Sequence, residues 1–236
     1  MTDGTVHLYH LKNSRSQRIV WLLEELQLDY ALTLYHEHIQ PNQVTEHPHA
    51  FKKFPTMTYQ QPGKSPIVLT ETTAIVDFLW QLHGQSCTEK CDDPQQLANY
   101  YFWKNFADAS FMPNLALKQI FSQIVQRTPF PVGFITQIFK AGFNRGYLNT
   151  TLHQQMQQIN QQLQQQHWIA GSQFTAADIL LWFPLYACTQ LHADFQHYGS
   201  IQSYLNRLES RPAFQKALSK GQWSAVDFQA YWNKAN

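Results

Sequence analysis

Cysteine is scarce. Cys87, Cys91 and Cys188 are the only three in 236 residues, too few and too unevenly placed for a disulfide framework, so a reducing compartment, the cytoplasm, is expected. Charge is scarce too: charged residues make up 14%, and 17 Lys plus Arg against 16 Asp plus Glu leave +1. The electrostatic footprint of a nucleic-acid partner is therefore missing. Long apolar runs are lacking as well. The richest, Ile179 to Ala187, is interrupted by Pro184 and reaches about half the roughly 20 residues that a membrane span needs. The opening residues lack the basic and apolar regions of a secretory signal, and no lipid anchor motif is evident. The expectation is a soluble protein without membrane or nucleic-acid partners.

What is present is hydrophobic and aromatic. At 44% hydrophobic residues the chain can fill one large core or two smaller ones, which excludes a disordered or fibrous protein. Aromatics reach 14%; most of them belong to the core, with a remainder to line a pocket for flat, apolar ligands.

The first eighty-odd residues alternate strand and helix signals. Val6 and Leu8 alternate with polar neighbours, the turn Lys12-Asn13-Ser14 follows, and Ile19, Leu22, Leu23 and Leu26 then fall at i, i+3, i+4, i+7, one helical face. A strand at 31–35 closes a βαβ unit with parallel strands. Two β-rich runs, 54–59 and 66–70, flank Pro62-Gly63 and predict an antiparallel hairpin. Ile75, Phe78, Leu79 and Leu82 give a second helix, with Gly84 at its stop. Residues 85–94 are small, polar and charged, and read as a linker between a domain over 1–84 and another over 95–236. From Gln95 on the periodicity is helical throughout. The Gln-rich stretch 153–167 keeps an apolar stripe of Leu152, Met156, Ile159 and Leu163 and reads as a helix. Thr175-Ala176-Ala177-Asp178 has capping-box form ahead of an apolar helix, and Pro212 breaks one helix and starts the next.

The run from Asn13 to Leu26, Lys53-Phe54-Pro55, Glu71-Thr72-Thr73-Ala74-Ile75 and Phe174 to Asp178, in that order and spacing, resemble the glutathione S-transferase family, over nearly the whole chain. Ala109 to Pro113 and the Pro-rich 129–131 are similar to a subgroup of fungi and bacteria. The resemblance implies an α/β thioredoxin-like N-terminal domain (βαβ–ββα) followed by an all-α helical bundle. It further implies conjugation of the glutathione thiolate to small hydrophobic electrophiles, with glutathione-dependent peroxide reduction as a second outlet for the same sulfur. The alternative is a non-catalytic ligand-binding or protein-interaction protein of the same fold.

Carried over residue by residue, the resemblance places the sulfur-activating hydroxyl at Ser14, in the turn before the first helix. Tyr9 at the end of the first strand is the rival. The local reading of Ser14 is an ordinary helix cap. Phe54 would pair its backbone with the cysteinyl unit ahead of a cis Pro55. Glu71 and Thr72 would take the γ-glutamyl ammonium and carboxylate, and Lys53 the glycyl carboxylate, with Lys52, His47 and His49 as other basic candidates. Tyr9, Lys12, Trp103, Phe106 and Phe111 are assigned to the acceptor pocket. No cofactor beyond the substrate glutathione is implied, and a homodimer is expected. No cysteine stands at the first helix opening, so thiol–disulfide exchange through a protein cysteine is not expected. The pairs His36/His38 and His47/His49, and Cys87 with Cys91, lack the companion ligands of a metal site.

Overall fold

The computed structural model describes residues 4–36, 39, 44, 47–84 and 93–234. Two compact units emerge: Met1–Asp92 with Arg207–Phe228, and Asp93–Asn206 with Gln229–Asn236. Residues 85–92 of the expected linker, with Cys87 and Cys91, lie outside the described residues, as does His38.

The first unit is built on four strands, β1 (Thr5–Leu11), β2 (Tyr30–Tyr35), β3 (Thr56–Gln60) and β4 (Ile67–Thr70), in the order β2-β1-β3-β4. β1 runs parallel to β2 and antiparallel to β3, and β3 is antiparallel to β4. The βαβ unit and the hairpin thus join along β1 and β3 into one mixed sheet, as in thioredoxin-like domains. Val6, Leu8 and His10 are buried along β1 while His7 and Tyr9 stay partly open, the period-two alternation of a strand. Helices α1 (Gln17–Glu25) and α2 (Thr72–His83) belong to the same unit, as does a helix from residues 212–220.

The periodicity of α1 predicts one apolar face, yet all of Gln17 to Glu24 is buried. The reason is a helix from the far end of the sequence: α9 (Pro212–Lys220) packs along α1. Trp21 meets Phe214 edge-on at 4.9 Å. Arg211 grips Glu25 in a bidentate pair at 2.6 and 2.7 Å, and Lys216 and Lys220 reach Glu24 at 2.7 and 2.6 Å. Carboxylates at the end of α1 are tolerated under this cover because cations answer each one.

The second unit is helical. Helix α3 (Pro94–Phe106) passes through a π-segment, Ala107–Phe111, into α4 (Met112–Arg127). Pro113 cannot donate to the preceding turn, and the widened register together with Asn114 Nδ2, which donates to the Ser110 carbonyl at 3.0 Å, accommodates the gap. Next come α5 (Gly133–Phe143), a second π-segment (Asn144–Leu148), α6 (Asn149–Gln165), α7 (Ala176–Leu191) and α8 (Gly199–Glu209), with α10 (Ala225–Lys234) closing the chain. The stripe Leu152, Met156, Ile159, Leu163 of α6 is buried. Helix α7 runs on through Pro184 instead of breaking there, because it is buried along nearly its whole length and packing outweighs one lost hydrogen bond. Among the described residues no helix is long and apolar enough to cross a membrane.

Candidate functional site

Strand register gathers the motif residues at one end of the sheet. Thr56, the first residue of β3, pairs with Tyr9 on one side and Thr70 on the other. The turn after β1, the peptide before β3 and the turn after β4 are therefore neighbours. These are the places of Ser14, Phe54-Pro55 and Glu71-Thr72. The Thr70 hydroxyl donates to the Pro55 carbonyl at 3.2 Å, tying two of the three together.

The β1–α1 turn carries Asn13 at φ +53°, a left-handed position that Asn tolerates better than most residues. Ser14 is half-buried. Its hydroxyl donates to the Leu11 carbonyl at 2.8 Å, and its oxygen accepts from the Ser16 N–H at 3.2 Å, a local turn bond that Ser favours. The helix cap position itself falls to Ser16, whose side chain makes no cap bond. Ser14 thus has one proton to give, held by a carbonyl at the strand end.

Lys53 is exposed, its ammonium 5.8 Å from the Phe51 ring. Its carbonyl accepts from the Thr56 hydroxyl at 2.7 Å and from His47 Nε2–H at 3.1 Å. Nδ1 of the same imidazole lies 3.0 Å from the His49 carbonyl and 3.2 Å from the His49 N–H, so His47 shapes this loop through both nitrogens. The Phe54-Pro55 peptide is cis. Phe54 lies against Tyr35 at 4.7 Å and His47 at 5.2 Å, and His47 also meets Tyr9 at 5.7 Å. The Phe54 N–H and C=O, just ahead of β3, are the groups with which a strand-like ligand would pair.

Glu71 caps α2 at φ +73°, with no side-chain cap bond. A non-glycine residue held in this region is strained, and such strain gathers where a site needs a particular direction of the chain. The result is an exposed carboxylate beside a helix N-terminus whose first residue, Thr72, is buried. The ammonium and carboxylate of one α-amino acid suit that pair of groups.

Comparison with known proteins identifies the architecture. Residues 8–87 match "Glutathione S-transferase, N-terminal domain" and residues 146–212 match "Glutathione S-transferase, C-terminal domain". Glutathione S-transferase 3 of the fission yeast Schizosaccharomyces pombe is 32% identical over 219 residues, 90% of this chain and 86% of the relative. The chain belongs to the glutathione S-transferase family. The crystal structure of a glutathione S-transferase from Actinobacillus pleuropneumoniae superimposes with a TM-score of 0.68 at 28% identity, covering 94% of this chain and 95% of that one. A family member from Pseudomonas fluorescens, crystallised with two glutathione molecules, is similar in fold at 18% identity and a TM-score of 0.66, covering 90% and 92%.

In this glutathione S-transferase family chain the acceptor-pocket candidates separate by burial. Tyr9 and Lys12 are partly open beside the β1–α1 turn. Trp103, Phe106 and Phe111 are 3%, 7% and 0% exposed; Trp103 meets Phe106 edge-on at 5.3 Å and Phe106 stacks on Phe111 at 5.9 Å, so the three rings pack against one another within the helical unit. Cys188 is buried, and desolvation pushes its thiol above the ordinary range, which makes it a poor nucleophile. Among the described residues no group of three or more His, Cys, Asp or Glu is placed to hold a metal. Reading the sequence missed His10 and Gln17, polar residues near the turn that are buried against the C-terminal segment. Their one visible signal is polarity inside an otherwise apolar strand and helix.

Proposed function

We propose that the chain conjugates the thiolate of glutathione to small hydrophobic electrophiles and reduces organic hydroperoxides with the same sulfur. The observation that carries this reading is the meeting at one sheet end of a serine hydroxyl, a strand-ready backbone at Phe54 and the α2 N-terminus with its carboxylate. The Phe54 N–H and C=O pair with the cysteinyl residue. Glu71 takes the γ-glutamyl ammonium, Thr72 and the first turn of α2 the carboxylate beside it, and Lys53 the glycyl carboxylate. The Ser14 hydroxyl turns from Leu11 to the sulfur, with Tyr9 and Lys12 bordering the acceptor. A thiol of pKa near 8.5 is about 3% ionised at pH 7, and lowering it by about two units raises that to roughly three quarters. The reading includes a cytoplasmic homodimer; the exposed rings of Phe51, Tyr101 and Phe102 offer apolar surface for a second copy.

Retention on immobilised glutathione, elution by the free tripeptide, and turnover with 1-chloro-2,4-dinitrobenzene and cumene hydroperoxide are the expected results. Retention without turnover would favour a ligand-binding protein, and absence of retention would remove the ligand itself. Glu71→Gln is expected to raise KM for glutathione about tenfold while kcat changes less than about twofold, because a charge-assisted bond worth about 1.5–3 kcal/mol is lost at a group remote from the sulfur. Steady-state kinetics at varied glutathione checks it.

A further inference from the structure

His10 sits at the end of β1, fully buried, with both ring nitrogens engaged. Its Nε2 lies 3.1 Å from the Gly221 carbonyl. A carbonyl only accepts, so Nε2 carries the proton and Nδ1 is left as an acceptor. Ser16 Oγ, 2.6 Å from Nδ1, therefore donates to it. The backbone N–H of the same Ser16 donates to Ser14 Oγ. A continuous chain of bonds runs from the turn after α9, through His10 and Ser16, to the Ser14 oxygen. Two further bonds fasten that C-terminal segment to the same turn. The Ser224 N–H donates to Asn13 Oδ1 at 2.8 Å, and Gln17 Nε2 donates to the Ala217 carbonyl at 2.7 Å. Space is tight as well: a Cβ at Gly221 would overlap the Gln17 side-chain amide.

The Ser16 N–H bond matters because it addresses the oxygen of Ser14 and not its proton. The hydroxyl hydrogen is then free to swing about Cβ–Oγ from the Leu11 carbonyl to an incoming sulfur while the oxygen stays where it is. Resting on the reading of Ser14 as the sulfur's hydrogen-bond donor, we propose that His10 is a positioning residue. With Ser16 and the turn at Gly221 it fixes the Ser14 oxygen for that exchange. The C-terminal residues 217–224 thereby take part in thiolate formation without touching the ligand.

The test uses the full chain and three variants: His10→Phe, which fills the ring's space without nitrogens, Ser16→Ala, which removes only the donor to His10, and Ser14→Ala. The ultraviolet absorbance of enzyme-bound glutathione thiolate is titrated against pH, with kcat, KM and thermal unfolding measured alongside. His10→Phe and Ser16→Ala are each expected to raise the thiol midpoint by about one unit, lowering kcat near pH 6.5 by about fivefold, with KM for glutathione within about twofold. In the Ser14→Ala background, adding His10→Phe is expected to change kcat by less than about twofold, since residues acting through one another are not additive. Lost thermal stability with an unmoved midpoint in both folded variants would leave His10 a purely structural residue and overturn the proposal. An unmoved midpoint in Ser14→Ala alone would instead overturn the reading of Ser14 and this inference with it, so the two failures are separable.

Discussion

Ser14→Ala is expected to lower kcat/KM about 50-fold at pH 6.5 and less than about twofold above pH 9. Those figures follow from returning a bound thiol from a pKa of about 6.5 to about 8.5, which cuts the thiolate from about half to about 1% at the lower pH and hardly alters it at the higher one. The dependence on pH separates loss of thiolate stabilisation from loss of binding, which would persist at every pH. The serine proton rests on the Leu11 carbonyl, so the substitution also removes a turn bond, at a cost of about 1 kcal/mol in stability. Tyr9→Phe is the control for the rival donor. Tyr9 stacks on His7 at 4.5 Å and leans on His47, and its loss of a hydroxyl is expected to leave the pH profile in place. A pH-independent loss in Ser14→Ala together with a shifted profile in Tyr9→Phe would transfer the role from one hydroxyl to the other.

Periodicity made the elements legible, because strand and helix write their spacing directly into the order of apolar residues. The alternation of Val6 and Leu8, the hairpin about Pro62-Gly63 and the stripe of α6 are all local patterns. The position of the site was legible for another reason: motif residues follow or precede strands, and strand pairing alone then sets Ser14, Pro55 and Glu71 at one sheet end. The cover on α1 was not legible. Nothing in the spacing of Arg211, Phe214, Lys216 and Lys220 says that they answer Glu25, Trp21 and Glu24, since the partners lie almost two hundred positions away. The same distance hid His10, whose partner is the carbonyl of Gly221. A carbonyl is common to every residue and leaves no trace in sequence. Nor does spacing separate core from pocket among aromatics: Phe106 and Phe111 carry the same signal as a ligand-lining ring and are buried.

Replacing Asp178 is expected to have the largest effect on stability. The Thr175 capping box forms as its spacing predicts, but the carboxylate does more than cap. It accepts from the Thr175 N–H at 2.8 Å, from the Ile169 N–H at 2.9 Å and from the Tyr204 hydroxyl at 2.8 Å. One fully buried side chain thus ties the start of α7 to the preceding loop and to α8. Asp178→Ala leaves those donors without an acceptor in a dry interior, at about 1–3 kcal/mol each, partly offset because a buried carboxylate no longer has to be desolvated. The net expectation is a loss of about 3–5 kcal/mol, which for a chain of this size lowers Tm by on the order of 10 °C. Burial raises the Asp178 carboxyl from the usual 3.8 to about 6 against the pull of its hydrogen bonds. Between those values the folded chain holds more protons there than the unfolded one. The contribution of that proton is fully present below about pH 4 and disappears as pH rises through about 6. Wild type and variant should therefore differ more at pH 4.5 than at pH 7. His10 and His192, lowered to about 4 by burial, act with the opposite sign, but they are common to both proteins and cancel in the difference. Urea unfolding of both proteins at the two pH values measures it; an equal difference at both would mean that Asp178 holds its place as a plain carboxylate with no proton linked to folding.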